Sequence, residues 1–154
     1  MNQFHQIYIC IMQKQLIECV PNFSEGLNLN VIKQITDQIE KVDGVHLLDV
    51  DPGKATNRTV VTFVGEPDAV VDAAFVAIKK AAELIDMSKH KGEHPRMGAT
   101  DVCPMIPVAN ISMEETAEYA KKLAKRVGEN LEIPIYLYEE AQDNKDRSNL
   151  SIIR

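Results

Sequence analysis

Two β-rich runs joined by a short linker place the strongest constraint on how this chain can fold. Val45–Asp51 and Arg58–Gly65 are rich in Val, Leu, Thr and Phe, and Pro52–Asn57 separates them. A parallel pair of strands needs a crossover of about a dozen residues or more, so a linker this short favours antiparallel strands. The sequence therefore predicts a hairpin-like pair.

Amphipathic patterns on either side of this pair predict three helices. Asn30–Val42 and Asp68–Met87 place apolar residues at helical spacing, and the second has a broad, Ala-rich apolar face. Ser112 stands three residues before Glu115, a capping box that predicts a helix through about Asn130. Helices with one apolar face need a layer to pack against, and a sheet would supply it.

Three further apolar runs complete the predicted order of elements. Lys14–Val20 stops at a proline, Asp101–Val108 contains two prolines, and Ile133–Glu139 is rich in Ile and Tyr. We interpret all three as strands, the second at an edge because proline cannot donate a ladder hydrogen bond. The order β-α-β-β-α-β-α-β predicts an α/β (α+β) fold with a mixed sheet, helices mainly on one face and the other face bare.

Length and charge limit the class of protein. A chain of 154 residues with 45% hydrophobic and 26% charged residues is expected to form one globular domain. Its net charge of -6 argues against general binding to nucleic acid, because phosphate backbones need an excess of Lys and Arg. The apolar run Ile7–Met12 is too short to span a membrane, which takes about 18 residues or more.

The cysteines predict a reducing compartment. Cys10, Cys19 and Cys103 are odd in number, lack CxxC spacing and follow no secretory signal. We expect free thiols and a cytoplasmic location. Because Cys103 stands in an apolar run, we expect it to be a core thiol and not a nucleophile.

One segment of this acidic chain concentrates cationic groups. Met87–Ala99 holds two lysines, one arginine and two histidines against a single glutamate: Lys89, Lys91, Arg96, His90, His94 and Glu93. Glycines in the same segment let backbone amides approach a ligand. A local positive charge of this kind suits a small polyanionic substrate better than a nucleic acid.

The two histidines of this segment do not form a recognisable metal motif. His90 and His94 have the i, i+4 spacing that puts two imidazoles on one helix face for zinc. Gly92 and Pro95 disfavour a continuous helix there, and neither the glutamate of a zincin nor a third ligand is evident. The sequence therefore predicts no metal site.

Two other interpretations of these histidines stay open. An imidazole with an ordinary pKa of about 6.5 can transfer a proton near neutral pH if a carboxylate or carbonyl fixes its tautomer. Candidate carboxylates are Glu93, Asp49, Asp51 and Asp101. The alternative is a surface loop whose Lys and His residues complement the C-terminal dipole of the preceding helix.

Four long blocks of sequence are more distinctive than any single motif. They are LIECVPNFSEG (Leu16–Gly26), LLDVDPGKATNRTVVTFVG (Leu47–Gly65), LIDMSKHKGEHPRMGATDVCPMIPV (Leu84–Val108) and PIYLYEEA (Pro134–Ala141). In this order they resemble the N-terminal subdomain of the glutamate formimidoyltransferases. The blocks span nearly all of the chain from Leu16 onward.

The resemblance implies an enzyme that transfers the formimino group of N-formimino-L-glutamate to N5 of tetrahydrofolate, its co-substrate, without a metal. This step belongs to histidine degradation and one-carbon metabolism. The family's catalytic histidine lies in KGEHPRMG and corresponds to His94. Its imidazole would take the N5 proton and return it to the leaving amine. Asp51, which ends a strand in DVDPG, is the candidate that supports this exchange.

Both substrates carry carboxylates, so cationic and amide side chains are expected to bind them. The candidates are Arg58, Lys89, Lys91, Arg96, Asn22 and Asn57. The asparagine side chains could bind the edge of a pterin ring or close a turn. The cationic side chains could bind substrate carboxylates or lie at the surface in solvent. We expect His90 to be a supporting residue and not a second base.

The resemblance also implies a division of the chain. Residues 1–13 are expected to be a poorly ordered extension, and residues 14–154 the N-terminal subdomain, with the C-terminal subdomain absent. In the family, folate binds in a groove between the two subdomains, so a separate C-terminal subdomain or self-association would complete it. The alternative is a noncatalytic module that keeps the fold and binds folate or a partner protein.

Overall fold

The computed structural model describes residues 14–93 and 95–153; the predicted extension 1–13 and the candidate catalytic residue His94 lie outside these ranges. The strands are β1 (Leu16–Cys19), β2 (Asn22–Phe23), β3 (Val45–Gly53), β4 (Arg58–Gly65), β5 (Thr100–Val102) and β6 (Met105–Ala109). The helices are α1 (Leu29–Glu40), α2 (Pro67–Leu84), α3 (Met113–Leu131) and α4 (Leu150–Ile153). Two 3-10 turns, Glu139–Ala141 and Lys145–Arg147, precede α4.

The short strands combine into longer, interrupted ones. β1 and β2 pair with β4 in one continuous register, and the N–H of Val61 donates to the carbonyl of Pro21 at 2.9 Å. β6 and β5 form a second interrupted strand, where the N–H of Val20 donates to the carbonyl of Pro104 at 3.1 Å. The sheet therefore runs β3, β4, β1 with β2, and β6 with β5.

The connections between the strands explain their direction. All strand pairs among the described residues are antiparallel, so the predicted α+β fold is confirmed, but the expectation of a mixed sheet was wrong. α1 connects β2 to β3, and α2 connects β4 to β5; in both cases one strand lies between the two that are connected. Each helical crossover skips a strand, so neighbouring strands run in opposite directions.

The predicted last strand, Ile133–Glu139, is not formed. The segment 132–138 has no regular secondary structure and leads into the turn Glu139–Ala141. Pro134 has no N–H to give to a ladder, and the side chains of Ile135 and Tyr136 are 41% and 61% exposed. Neither hydrogen bonding nor burial therefore holds this apolar run in the sheet.

One face of the sheet carries the core. Ile17 and Cys19 of β1 and Val61 and Phe63 of β4 alternate with half-buried neighbours and are fully buried. The helices add Ile35, Ile39, Val70, Val71, Ala74, Ala77, Leu123 and Val127 to the same cluster. The small side chains of α2 allow this helix to approach the sheet closely. The opposite face holds partly exposed side chains such as Glu18.

The predicted capping box begins α3. Ser112 Oγ accepts from the N–H of Glu115 at 3.1 Å, and Glu115 Oε2 accepts from the N–H of Ser112 at 2.8 Å. The hydrogen bond from the N–H of Ser112 to the carboxylate lowers the pKa of Glu115. The pKa of this carboxyl is lower in the folded than in the unfolded protein. Its contribution to the free energy of unfolding is therefore present above the unfolded pKa and is lost as the pH falls through the folded pKa.

Removing the cap should weaken α3. We expect Ser112→Ala to reduce the free energy of unfolding by about 1 kcal/mol, measured by urea unfolding at neutral pH, because a helix N–H loses its acceptor. Ser112→Thr keeps a hydroxyl acceptor and is expected to recover most of the loss. Equal losses in the two variants would contradict a capping role.

Candidate functional site

Three loops meet at one end of the sheet. They are residues 24–28 after β2, the turn between β3 and β4, and the cationic segment Met87–Ala99. The N–H of Gly26 donates to Oδ1 of Asn57 at 2.9 Å, and Nδ2 of Asn57 donates to the carbonyl of Lys91 at 2.9 Å. The side chain of Asn57, which lies in the turn, therefore links the other two loops.

The backbone of the turn explains why asparagine stands at its last position. Asn57 has a φ of 48°, in the left-handed region that asparagine adopts more readily than most residues. Its N–H donates to the carbonyl of Lys54 at 3.2 Å, which closes the turn. The turn thus aims the amide of Asn57 at the neighbouring loops.

Arg96 ties the cationic segment to the same turn. Its guanidinium donates to the carbonyl of Thr56 at 2.9 Å and to the carbonyl of Asn57 at 3.2 Å. Both acceptors belong to the backbone of the turn, so these bonds fix the position of the guanidinium. Arg96 therefore brings a positive charge to the meeting point of the loops.

His90 is half-buried among these loops. Its Nδ1 lies 3.4 Å from Nδ2 of Asn57, and its Nε2 is buried without a hydrogen-bond partner among the described residues. Burial lowers the pKa of His90, and the charge of Arg96 lowers it further, whereas Glu25 acts in the opposite direction. The ring is therefore neutral near pH 7.

An ion pair lies behind the cationic segment. Arg58 Nη1 is 3.4 Å from Asp101 Oδ2, and the two side chains are 15% and 0% exposed. Asp101 Oδ1 also accepts from the N–H of Met97 at 3.0 Å. The sequence offered Asp101 as a carboxylate partner for a histidine; the structure places it beside Arg58.

A second set of hydrogen bonds holds the loops together, and no motif in the sequence indicates it. Ser24 Oγ donates to the carbonyl of Gly98 at 2.7 Å, and its N–H donates to the carbonyl of Ala99 at 2.8 Å. Thr59 Oγ1 donates to the carbonyl of Glu25 at 2.5 Å. Both hydroxyl residues are fully buried, although Ser and Thr are usually exposed, and only the folded structure shows their partners.

Gly92 lies where a side chain cannot fit. A Cβ at this position would lie 2.3 Å from the carbonyl oxygen of Thr56 and 2.5 Å from a guanidinium nitrogen of Arg96. We therefore expect Gly92→Ala to push the cationic segment away from the turn and to lower the free energy of unfolding by about 1–3 kcal/mol. Urea unfolding measures this loss.

Gly128 supplies a matched control for this prediction. It lies on the exposed side of α3, and a Cβ there would meet no atom within 4 Å. Gly128→Ala is expected to stabilise the protein by about 0.5–1 kcal/mol, because alanine favours a helix interior over glycine. A Gly92→Ala protein as stable as Gly128→Ala would show that the close approach at Gly92 is not a constraint.

Asp51 and Asn22 lie on the open face of the sheet near the same end. Asp51 on β3 and Asn22 on β2 both stand opposite Val60, so the three side chains share a face. Asp51 is exposed, whereas Asn22 is buried and donates from Nδ2 to the carbonyl of Val20 at 3.0 Å. With one strand between them, their backbones lie about 10 Å apart.

The two lysines of the cationic segment lie at the surface. Lys89 Nζ is 2.9 Å from Asp86 Oδ2, with side chains that are 83% and 51% exposed. The backbone carbonyl of Lys91 accepts a hydrogen bond from Asn57, but Lys91 as a residue is exposed to solvent. The structure thus brings His90, Arg96 and Asn57 together around the turn and leaves both lysines in solvent.

The described cysteines are free, as the sequence predicts. Cys19 is fully buried, Cys103 is half-buried, and their Sγ atoms lie 3.6 Å apart. Burial raises the pKa of the Cys19 thiol well above its ordinary value. A protonated, buried thiol is a poor nucleophile, which suits a core position. Cys10 lies outside the described residues.

A large cavity lies apart from the cationic segment's charged groups. It has a volume of about 840 Å³ and is enclosed by α3, the strands β5 and β6, and the segment 133–141. Its lining is mostly apolar and, among the described residues, includes the acidic residues Asp101, Glu139 and Glu140 but no lysine or arginine. Such a lining does not favour an anionic ligand, so the loop cluster around Asn57 is the better candidate site.

Neither a cluster of metal-binding side chains nor a membrane-spanning helix occurs among the described residues. Across residues 14–93 and 95–153, no three or more His, Cys, Asp or Glu side chains come together in a way that could hold a metal ion. None of the helices in this part of the chain has the length and apolar character that crossing a membrane requires.

Comparison with known proteins identifies the family. Residues 16–154 match the formiminotransferase domain, N-terminal subdomain. The chain is 57% identical over 140 residues to the formimidoyltransferase-cyclodeaminase of Mus musculus, an alignment that covers 91% of this chain and 26% of that protein. It is 52% identical over 139 residues to the glutamate formimidoyltransferase of Thermoplasma acidophilum, covering 90% of this chain and 46% of the relative.

A third relative, from Streptococcus pyogenes serotype M1, is also a formimidoyltransferase by name. This glutamate formimidoyltransferase is 46% identical over 140 residues, covering 91% of this chain and 47% of the relative. The chain thus spans between a quarter and half of the length of these relatives. Since the family match runs from residue 16 to residue 154, this chain belongs to the formiminotransferase family, as its N-terminal subdomain.

Proposed function

We propose that this chain acts as the N-terminal part of a glutamate formimidoyltransferase, which moves a formimino group from N-formimino-L-glutamate to N5 of tetrahydrofolate. The observation that carries the proposal is the match of residues 16–154 to this subdomain, with relatives of that name at 52% and 46% identity. The loop cluster around Asn57 supports it, because the guanidinium of Arg96 brings positive charge there for carboxylate substrates.

The reaction exchanges one amine for another at the formimino carbon. N5 of tetrahydrofolate forms a bond to this carbon and gives a tetrahedral intermediate, and the bond from the carbon to the glutamate nitrogen then breaks. N5 loses one proton and the departing glutamate amine gains one. A single group that accepts the first proton and returns it to the amine can therefore serve both steps.

We assign this proton transfer to His94. In the sequence it stands two residues before Arg96, whose guanidinium is bound to the turn. Asp51, exposed on the open face at the same end of the sheet, is assigned to orient the imidazole or to stabilise its charged form.

The substrate carboxylates are assigned to the cationic groups of this end. Arg58 and Arg96 would bind the inner carboxylates, and the exposed Lys89 and Lys91 would meet outer ones, such as those of a folate glutamyl tail. Asn22, buried on the open face, is assigned to the edge of the pterin ring.

The activity is proposed for a larger assembly. Because the chain aligns with less than half of each glutamate formimidoyltransferase above, residues from a C-terminal subdomain or a second copy would complete the folate groove. The sheet face that carries Asp51 and Asn22 is the surface this partner would cover. We further propose that the reaction serves histidine degradation and one-carbon metabolism in the cytoplasm.

A transfer assay tests the proposal. The purified chain is incubated with N-formimino-L-glutamate and tetrahydrofolate, alone and with the remaining part of the Thermoplasma acidophilum relative, and glutamate release is measured. We expect tetrahydrofolate-dependent release from the mixture, or from the chain alone if copies complete each other's groove. Binding of tetrahydrofolate without release in either sample would favour a noncatalytic module.

A further inference from the structure

The orientation of the Asn57 side chain is set by two backbone groups. Oδ1 accepts from the N–H of Gly26 and Nδ2 donates to the carbonyl of Lys91, both at 2.9 Å. If the amide were rotated by a half-turn, oxygen would face oxygen at Lys91 and N–H would face N–H at Gly26. Nδ2 is therefore the amide atom that faces His90.

This orientation determines where His90 carries its hydrogen. Nδ2 of Asn57 has a second N–H, and Nδ1 of His90 lies 3.4 Å from it. An amide N–H can only donate, so Nδ1 must accept and carries no hydrogen. A neutral imidazole without hydrogen on Nδ1 carries it on Nε2. The contact is long and therefore weak, but its direction follows from the amide orientation.

The surroundings of the ring agree with this assignment. Nε2 is buried and has no hydrogen-bond partner among the described residues, so its N–H would be a buried donor without an acceptor, which is unfavourable. The guanidinium of Arg96 opposes a second proton on the ring, while the carboxylate of Glu25 favours one. A ligand oxygen that reached Nε2 would recover the lost hydrogen bond beside the charge of Arg96.

We propose that Asn57 is a positioning residue that holds His90 as the neutral imidazole with hydrogen on Nε2, so that His90 gives the site a hydrogen-bond donor and not a base. The acceptor for this donor would be an oxygen of a substrate carboxylate. The catalytic part of this inference rests on the proposed function, whereas the tautomer of His90 does not.

Nuclear magnetic resonance of the histidine rings tests the tautomer directly. Two-bond correlations between carbon-bound hydrogens and ring nitrogens are recorded on the full ¹⁵N-labelled chain near neutral pH, and His90→Gln assigns the signals. We expect hydrogen on Nε2 and an unprotonated Nδ1 for His90. Hydrogen on Nδ1 in the wild-type chain would overturn the proposal, whatever the activity.

Two substitutions at position 57 test the cause. Asn57→Asp keeps the side-chain shape and the left-handed backbone but replaces Nδ2, which donates to the carbonyl of Lys91 and faces His90, by an oxygen acceptor. We expect hydrogen to move onto Nδ1 of His90 and its pKa to rise. Asn57→Gly keeps the backbone conformation without a side chain and should give mixed tautomers. A His90 tautomer that stays on Nε2 in both variants would show that Asn57 does not set it.

The role of His90 as a donor is tested in an active assembly. His90→Gln keeps an N–H near the position of Nε2, so kcat should change little and the pH profile should keep its shape, with any loss confined to KM for the carboxylate substrate. A kcat loss of about 100-fold or more, with a flattened pH profile, would identify His90 as the base instead. That outcome would overturn the donor role and leave the proposed transferase function standing.

Discussion

Replacing His94 by alanine should reduce formimino transfer by about 10²–10⁴-fold in any active assembly, the effect expected when a general acid and base is lost. The proton that leaves N5 would then have to reach the glutamate amine through water. Because binding residues are kept, the loss should fall on kcat, and the KM values should change little. Steady-state rates of glutamate release measure both.

His46 provides the matched control for this substitution. It lies on β3, opposite Val64 and exposed, away from the loop cluster. His46 shares the open sheet face that the partner would cover, so with the partner at saturating concentration His46→Ala should leave the rate unchanged, and all three proteins should unfold at similar urea concentrations. Transfer by His94→Ala at the wild-type rate, with unchanged folding, would refute the role assigned to His94.

Asp101→Asn should produce the largest loss of stability among single changes at the site. The substitution keeps the size of the side chain but leaves the guanidinium of Arg58 only 15% exposed and without the carboxylate charge it now faces. Removing one partner of a buried ion pair costs about 3–5 kcal/mol, because the other charge stays buried. The change should appear as a lower midpoint of urea unfolding.

An exposed pair serves as the control for this comparison. Lys33 Nζ and Asp37 Oδ1 lie 2.6 Å apart on α1 with side chains that are 70% and 36% exposed, so Asp37→Asn should change the unfolding midpoint far less than Asp101→Asn does. Adding Arg58→Leu to Asp101→Asn should restore part of the lost stability, since no charge then remains buried. Equal costs for Asp101→Asn and Asp37→Asn would contradict a buried pair.

Local patterns predicted most of the fold. The linker between the two β-rich runs predicted their antiparallel pairing, and the capping box at Ser112 predicted the start of α3; both are confirmed. Each of these features depends on neighbouring residues. The failed expectations depend on distant ones: whether Ile133–Glu139 joins the sheet, and whether the sheet is mixed or antiparallel, is decided by burial and by hydrogen bonds across the fold.

The candidate site was predictable by residue type but not by partner. The concentration of cations in Met87–Ala99 pointed to an anion-binding segment, and the resemblance singled out His94 and Asp51. Asn57 was expected to bind substrate or close a turn, but its amide contacts groups 31 to 34 residues away in the chain. The link between the left-handed turn and His90 therefore needed the folded structure.

One measurement tests the central proposal most directly: the stoichiometry of products from N-formimino-L-glutamate and tetrahydrofolate, using the chain with the remaining part of the Thermoplasma acidophilum relative. Glutamate and N5-formimino-tetrahydrofolate should form one for one, and His94→Ala should reduce the formation of both by the same factor. Glutamate formed without the folate product would indicate hydrolysis instead of transfer, and would contradict the function proposed here.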